Sequence, residues 1–170
     1  GPMTRTVTDA ALMLTIMSEP DPRDCTAMPY SPRDWRIGLE DGVKGLRIAY
    51  SRDFGYVDVN PQISELVEKA AHSFSDLGAT VEETDPGFKC PYEAFKAYYY
   101  MGYKFLIEMM DDSQRSVLDP GLLRSVNKYA KFGLMEYMSL KVEQLRLGQH
   151  MSDFHQKYDL LMSPQMPIIP

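Results

Sequence analysis

The stretch that decides the fold begins with GLRIAYS (residues 45–51), whose apolar run is typical of a short buried strand. It continues with NPQISELVEKAAHSFSDLGAT (residues 60–80), where Asn60 is a suitable helix N-cap and Gly78 a suitable helix-ending glycine. The apolar residues of this segment recur three and four positions apart, which predicts an amphipathic helix. TVEET (residues 80–84) predicts a second strand. The stretch therefore predicts a βαβ unit with a right-handed crossover.

Helices are predicted on both sides of this unit. Thr6 caps a helix from about Val7 to Met17, after which prolines lead into a long loop over residues 19–45. Residues 91–155 are predicted to be mainly helical.

Within that region, the chain is predicted to turn helical from Pro91, with residues from Phe95 to Met109 sharing one face, and Asp119-Pro120-Gly121 breaks the pattern. Further helices are predicted from about Leu122 to Phe132 and from about Met135 to His155, and Leu160–Met162 predicts a short buried strand. The predicted fold class is α/β, a βαβ unit plus a helical region.

The composition excludes several classes of protein. The 170 residues carry a formal net charge of −6 without a run of Lys or Arg, so nucleic acid is not an expected partner. Apolar stretches are too short for a membrane span, and none is expected. The two cysteines, Cys25 and Cys90, are too few for a disulfide scaffold and indicate free thiols in a reducing compartment, the cytoplasm.

The familiar catalytic motifs are missing from the sequence. It contains no G-x-S-x-G motif, no Gly-Gly or Ser-Ser pair and no phosphate-binding G-x-x-x-x-G-K-[ST] loop. His150 and His155 are five positions apart, so they do not share a helix face as metal ligands would. We therefore assign no catalytic residue, no metal ligand and no cofactor site to this chain.

An aromatic-rich segment is the one candidate for ligand contact. It contains Phe95, Tyr98, Tyr99, Tyr100, Tyr103 and Phe105. Two interpretations remain open: core packing with hydroxyl groups that reach water, or the wall of an apolar pocket for a small molecule.

Three blocks of sequence resemble the amidase signature family. Residues 1–24 contain Gly-Pro, Arg-Thr-Val, Asp-Ala-Ala and Asp-Pro-Arg-Asp in the family's order, although cleavage of an expression tag also leaves Gly-Pro. VKGLRIAYSRDFG (residues 43–55) is similar to the family's Lys-Gly-Leu-Arg-Ile strand, and DLLMSPQMPIIP (residues 159–170) to its Asp-x-Leu-Leu-x-Pro-x-x-Pro segment. The resemblance covers the chain in the same order.

The resemblance implies hydrolysis or transfer at a carboxamide carbon by a Ser nucleophile, a bridging cis-Ser and a Lys base. In the family these groups lie upstream of the segment matched here. The resemblance therefore implies a fragment of a small-molecule amidase, with residues 1–170 as a single partial domain of the family's mixed-sheet fold and residues 91–155 as its variable helical region. We expect this chain alone to be inactive, because it lacks the family's nucleophile, base and oxyanion donors. We also expect it to self-associate, because without the catalytic core of the same polypeptide its apolar surface is left uncovered.

The substrate-pocket residues that we predict on this basis are Tyr98, Tyr99, Tyr103 and Gln165. Two alternatives remain: part of the amidotransferase subunit that acts on aminoacylated tRNA, or a non-catalytic small-molecule binding or interaction domain. The KGLRIAYS block does not separate the amidase from the amidotransferase, because both branches of the family contain it.

Overall fold

The computed structural model describes residues 1–169, which form two compact units, residues 1–44 and the residues from Gly45 onward. The first unit contains one helix, α1 (Val7–Met17), with the bounds that the sequence predicts. Thr6 has extended backbone at φ −131°, and its hydroxyl accepts a 3.1 Å hydrogen bond from the backbone N–H of Asp9. This hydrogen bond satisfies one of the N–H groups left free at the start of a helix.

Residues 18–44 form turns without a helix or strand, as predicted for residues 19–45. Trp35 fastens this loop to α1 within the first unit. Its backbone N–H donates to the hydroxyl of Thr15 at 3.2 Å, and its indole N–H donates to the hydroxyl of Ser18 at 3.4 Å. The hydroxyls of Thr15 and Ser18 thus accept hydrogen bonds from a loop that has no regular backbone pairing of its own.

The second unit is built on a three-stranded parallel sheet. Its strands are β1 (Arg47–Tyr50), β2 (Thr80–Glu83) and β3 (Leu160–Met162), in the order β2-β1-β3. Helix α2 (Pro61–Asp76) connects β1 to β2 and is followed by Gly78 at φ +92°. The βαβ prediction is confirmed, including the cap at Asn60, whose side chain accepts from the N–H of Gln62 at 3.0 Å.

The helical region contains α3 (Tyr92–Glu108), α4 (Asp112–Ser116), α5 (Pro120–Tyr129) and α6 (Leu134–Phe154). Helix α5 begins two residues before the predicted start because the Asp119 carboxylate accepts from the N–H of Leu122 at 2.9 Å. Pro120 then occupies the first helical position, where it starts a helix instead of breaking one. The sequence did not predict α4, which has a capping box between Asp111 and Gln114.

The core of the second unit centres on β1, because this strand has a neighbour on each side. Ile48, Ala49 and Tyr50 are all at most 1% exposed. The prediction of a buried β3 is wrong: Leu160 is 44% exposed, because β3 pairs only with β1 in the part of the chain that the structure describes. Ala97 of α3 is fully buried, and its small side chain permits close approach of neighbouring helices.

The predicted α/β class is thus confirmed. The treatment of residues 1–170 as one partial domain stays a prediction. No helix among residues 1–169 combines the length and the apolar character needed to cross a membrane.

Candidate functional site

The tyrosines of α3 point in three directions, because successive residues of a helix are turned by about 100°. Tyr99 and Tyr103 lie one turn apart, with ring centroids 4.8 Å and hydroxyl oxygens 3.4 Å from each other. Phe95 stacks on Tyr99 at 5.4 Å and extends the row. The structure therefore brings together two of the four predicted pocket residues in a row of aromatic rings on α3.

The hydrogen bond with Tyr103 raises the pKa of Tyr99 above its ordinary value of 10.0, since loss of the proton would weaken this contact. Tyr99 is 45% exposed. Its neutral hydroxyl is therefore available near pH 7 both to donate and to accept a hydrogen bond.

Tyr98 packs between α3 and α6. Its ring meets Tyr137 edge-to-face at a centroid distance of 5.3 Å, and the Nζ atom of Lys141 lies 5.0 Å from its ring centroid. The Tyr98 hydroxyl is inaccessible to solvent and has no hydrogen-bond partner among residues 1–169. Burial raises the pKa of Tyr98, and the neighbouring Tyr137 adds to this effect.

A cavity of about 540 Å³ lies beside this aromatic pair, between α3 and the start of α6. Its lining is apolar and carries no charged side chain: Tyr98, Met101, Gly102, Phe105, Phe132, Gly133, Leu134 and Tyr137. A volume of this size suits a small molecule with an aromatic or branched apolar group. We call this space the α3–α6 cavity.

The remaining predicted residues do not line this cavity. Tyr99 and Tyr103 are absent from its walls, and Gln165 is exposed in the segment that follows β3. A role of Gln165 beside the tyrosines therefore stays a prediction. Tyr100 has a structural contact instead, since its ring stacks on Tyr129 of α5 at 5.0 Å.

A second polar arrangement lies at the carboxyl ends of β1 and β2. Ser51 is fully buried; its hydroxyl donates to Oδ1 of Asp85 at 2.6 Å and accepts from the N–H of Phe54 at 2.9 Å. Phe54 has φ +57°, an uncommon conformation for a residue other than glycine. Sequence reasoning missed this pair, although a serine directly after a buried strand was the available signal.

Arg52 adds charge to the same edge of the sheet. Its guanidinium contacts Glu68 of α2 at 3.0 Å and Glu83 of β2 at 3.3 Å. In open α/β sheets the carboxyl ends of the strands are the usual place for ligands. Here, however, the polar groups are engaged with one another, and residues 1–169 contain no cluster of three or more His, Cys, Asp or Glu side chains placed to hold a metal ion.

The comparison with curated relatives covers nearly all of this chain. This chain is 28% identical over 168 residues to the acylamidase of Rhodococcus erythropolis, and the alignment covers 98% of this chain and 35% of that protein. It is 29% identical over 197 residues to a glutamyl-tRNA(Gln) amidotransferase subunit of Moorella thermoacetica, covering 99% of this chain and 40% of that subunit. The chain thus spans well under half the length of these relatives.

The fold is also similar to that of two solved enzymes. A bacterial aryl acylamidase of the amidase signature family matches all of this chain and 37% of its own, with a TM-score of 0.83 and 26% identity. A 6-aminohexanoate cyclic dimer hydrolase shares the fold, with a TM-score of 0.73 at 18% identity over 93% of this chain and 35% of its own. The amidase family model matches residues 1–170. Because the family model matches the whole sequence and the fold agrees with that of a solved member, this chain belongs to the amidase family.

Proposed function

We propose that this chain is part of an amidase that hydrolyses a small carboxamide through a Ser nucleophile outside the chain, and that it supplies one wall of the substrate pocket. One observation carries the proposal: the apolar, aromatic α3–α6 cavity lies in a chain whose 170 residues all match part of an aryl acylamidase. The cavity has no nucleophile in its lining, so its role is to bind the apolar part of the amide.

The lengths of the alignments support an amidase over an amidotransferase. The alignment with the acylamidase spans 168 residues for 98% of this chain, so the two sequences run almost in step. The alignment with the amidotransferase of Moorella thermoacetica spans 197 positions, more than the 170 residues of the chain, so that relative contains extra residues. The corresponding amidotransferase chain of Ligilactobacillus salivarius is 42% identical, but over only 83 residues.

The partners follow from the same proposal. The substrate is a small amide, and the principal protein contact is the catalytic core of the same polypeptide. The cytoplasm is the location that we propose, which is supported by two exposed free cysteines, since oxidising compartments favour disulfides. Self-association of the separate chain is supported by exposed apolar side chains on several helices.

Substitution in the intact enzyme tests the pocket. Tyr98→Ala and Tyr137→Ala, which remove the two tyrosine rings of the cavity lining, should each lower kcat/KM for an anilide relative to an aliphatic amide of the same acid, by roughly three- to tenfold for a lost aromatic contact. Tyr30→Ala, an exposed tyrosine of the first unit, is the matched control. If the ratio of the two kcat/KM values is the same in all three variants, these tyrosines do not line the pocket.

A further inference from the structure

We propose that a second cavity, separate from the α3–α6 cavity, binds a small aromatic carboxylate. This cavity has a volume of about 750 Å³ and lies between the β2–α3 connection, the first turn of α3 and the second half of α6. We call it the loop–α6 cavity. The residues that carry the argument are Phe88, Lys89, Cys90, Phe95, Arg146 and His150.

Aromatic rings supply two apolar walls. Phe88 is held in place by Phe54, at a centroid distance of 5.8 Å, and by His150, which meets it edge-to-face at 6.4 Å. Phe95 is 57% exposed, although one of its faces stacks on Tyr99. One fixed ring and one open ring on the same cavity provide contact area for a planar aromatic group.

Unpaired cations provide the second element of recognition. Lys89 and Arg146 line the cavity, and neither forms an ion pair with a carboxylate of residues 1–169. Glu143 is the one carboxylate in the lining, so Lys89, Arg146 and Glu143 together carry a net charge of +1. By contrast, the nearby Lys96 is already paired with Glu93 at 2.7 Å. Arg146 thus has its planar set of donors free for a carboxylate.

The orientation of His150 is fixed by a backbone carbonyl. Its Nε2 atom contacts the carbonyl oxygen of Pro86, which only accepts hydrogen bonds, so Nε2 carries a proton. The ring therefore stays against Phe88 and forms a firm wall.

The chemistry of the lining favours an anion over a neutral ligand. The chain as a whole has a net charge of −6, so it repels anions at long range, and a local excess of positive charge beside two aromatic rings runs against this trend. A molecule with one ring and one carboxylate matches both parts of the lining. Binding by this cavity does not depend on amide hydrolysis and is independent of the function proposed above.

Cys90 makes the proposal measurable, because its exposed thiol lines the same cavity. Cys25, the other free cysteine, lies in the first unit, so Cys25→Ser leaves a single reactive thiol. The rate at which iodoacetamide alkylates Cys90 is followed by mass spectrometry, with benzoate as the probe and ionic strength held constant with sodium chloride. We expect benzoate to slow alkylation in a saturable manner. Concentrations up to about 10 mM are sufficient to detect a millimolar dissociation constant.

Two comparisons identify the contribution of charge. Benzamide has nearly the same shape without the charge and should protect Cys90 at least about tenfold more weakly than benzoate. Arg146→Gln should weaken protection by benzoate about tenfold and leave protection by benzamide unchanged. Arg124→Gln, which removes an exposed arginine of α5, is the matched control and should have no effect. Circular dichroism of each variant verifies the helices.

Three results would each overturn the proposal. The first is an alkylation rate that benzoate does not change up to about 10 mM. The second is equal protection by benzoate and benzamide, which would indicate a purely apolar cavity. The third is that benzoate protects Cys90 in the Arg146→Gln variant as well as it does in the Arg124→Gln variant. Because none of these measurements uses amide turnover, their failure would leave the proposed amidase function untouched.

Discussion

Ser51 and Asp85 join the carboxyl ends of two neighbouring parallel strands, with 2.6 Å between the serine Oγ and the Oδ1 atom of the aspartate. Because the Ser51 hydroxyl also accepts from the N–H of Phe54, one buried side chain holds the turn after β1 against the segment after β2. This turn carries Phe54, whose ring contacts Phe88 at the loop–α6 cavity. The serine therefore connects the sheet to the aromatic rings that form the cavity wall.

Ser51→Ala should lower the free energy of unfolding by about 1–3 kcal/mol, because it leaves a carboxylate oxygen and a backbone N–H without their shared partner. Urea denaturation followed by circular dichroism measures the loss. Ser73→Ala is the matched control, since that hydroxyl is exposed on α2 and contacts only the carbonyl of Ala70. An equal loss in both variants would show that the Ser51 hydrogen bonds do not stabilise the sheet edge.

Asn60→Ala should destabilise the chain by roughly 0.5–2 kcal/mol, since α2 loses the side-chain oxygen that caps its N–H group at Gln62. Asn60→Asp retains a capping oxygen and should keep most of the stability. The urea midpoints of the two variants give the comparison. If both variants lose the same stability, the cap is not the cause.

Tyr98→Phe should leave the free energy of unfolding unchanged or raise it by up to about 1 kcal/mol, because it removes a buried hydroxyl that has no hydrogen-bond partner among residues 1–169. The aromatic contact with Tyr137 remains. Tyr99→Phe, by contrast, removes a hydroxyl that faces Tyr103 and should give no gain. Thermal unfolding of both variants tests this, and a clear loss in Tyr98→Phe would mean that its hydroxyl has a partner in solution.

The pairing of Asp159 with Arg47 predicts a pH dependence of stability. The Asp159 carboxylate accepts from the guanidinium of Arg47 at 3.2 Å and from its backbone N–H at 2.8 Å. The guanidinium hydrogen bond, followed by the backbone one, lowers the pKa of Asp159 in the folded state below its ordinary 3.8. A lowered folded pKa stabilises the fold above the unfolded pKa, and this stabilisation is lost as the pH falls through the folded value.

The wild-type chain should therefore be more stable than Asp159→Asn at pH 7, and the difference should shrink when the pH falls below about 4. Urea titrations at several pH values measure it. Asp76→Asn, at the exposed end of α2, is the control and should show no such change. A difference between wild type and Asp159→Asn that is constant from pH 7 to low pH would contradict the assignment.

Self-association remains a prediction for this chain, and α6 offers a place to test it. Met135, Met138, Val142 and Leu145 are between 44% and 77% exposed and are spaced three, four and three residues apart. This is the spacing of a helix seam. Replacing Met138 and Leu145 together by Lys should lower the average mass in sedimentation velocity, whereas Leu66→Lys on α2 should not. A wild-type chain that stays monomeric over the concentration range would refute the prediction.

The sequence predicts those elements whose signals lie within a few residues of one another. Thr6 and the prolines that follow residue 19 fix both ends of α1 to the residue, and Asn60 and Gly78 do nearly the same for α2. Helix α4 was missed because its five residues show no apolar period. The start of α5 was misplaced because Asp119-Pro120-Gly121 has the composition of a turn as well as that of a capped helix start.

Long-range relationships account for what the sequence did not predict. Ser51 and Asp85 are 34 positions apart, and no local pattern pairs them. The direction of Tyr98 towards Tyr137, and of Tyr100 towards Tyr129, depends on where α6 and α5 pack. The sequence therefore indicates the aromatic segment only through its content of Tyr and Phe. Its division into a row of rings, a cavity wall and a packing contact required the three-dimensional structure.

The position of β1 at the centre of the sheet also governs the order of events during synthesis. Its partner on one side, β2, leaves the ribosome soon after it, but the contact from Arg47 to Asp159 on the other side spans 112 positions. At ordinary elongation rates the interval is roughly 5 to 20 s. During that time one edge of β1 has unpaired N–H and C=O groups beside its most apolar residues, which is the condition under which strands pair with the wrong chain. This step of biosynthesis is where we expect a chaperone to be needed.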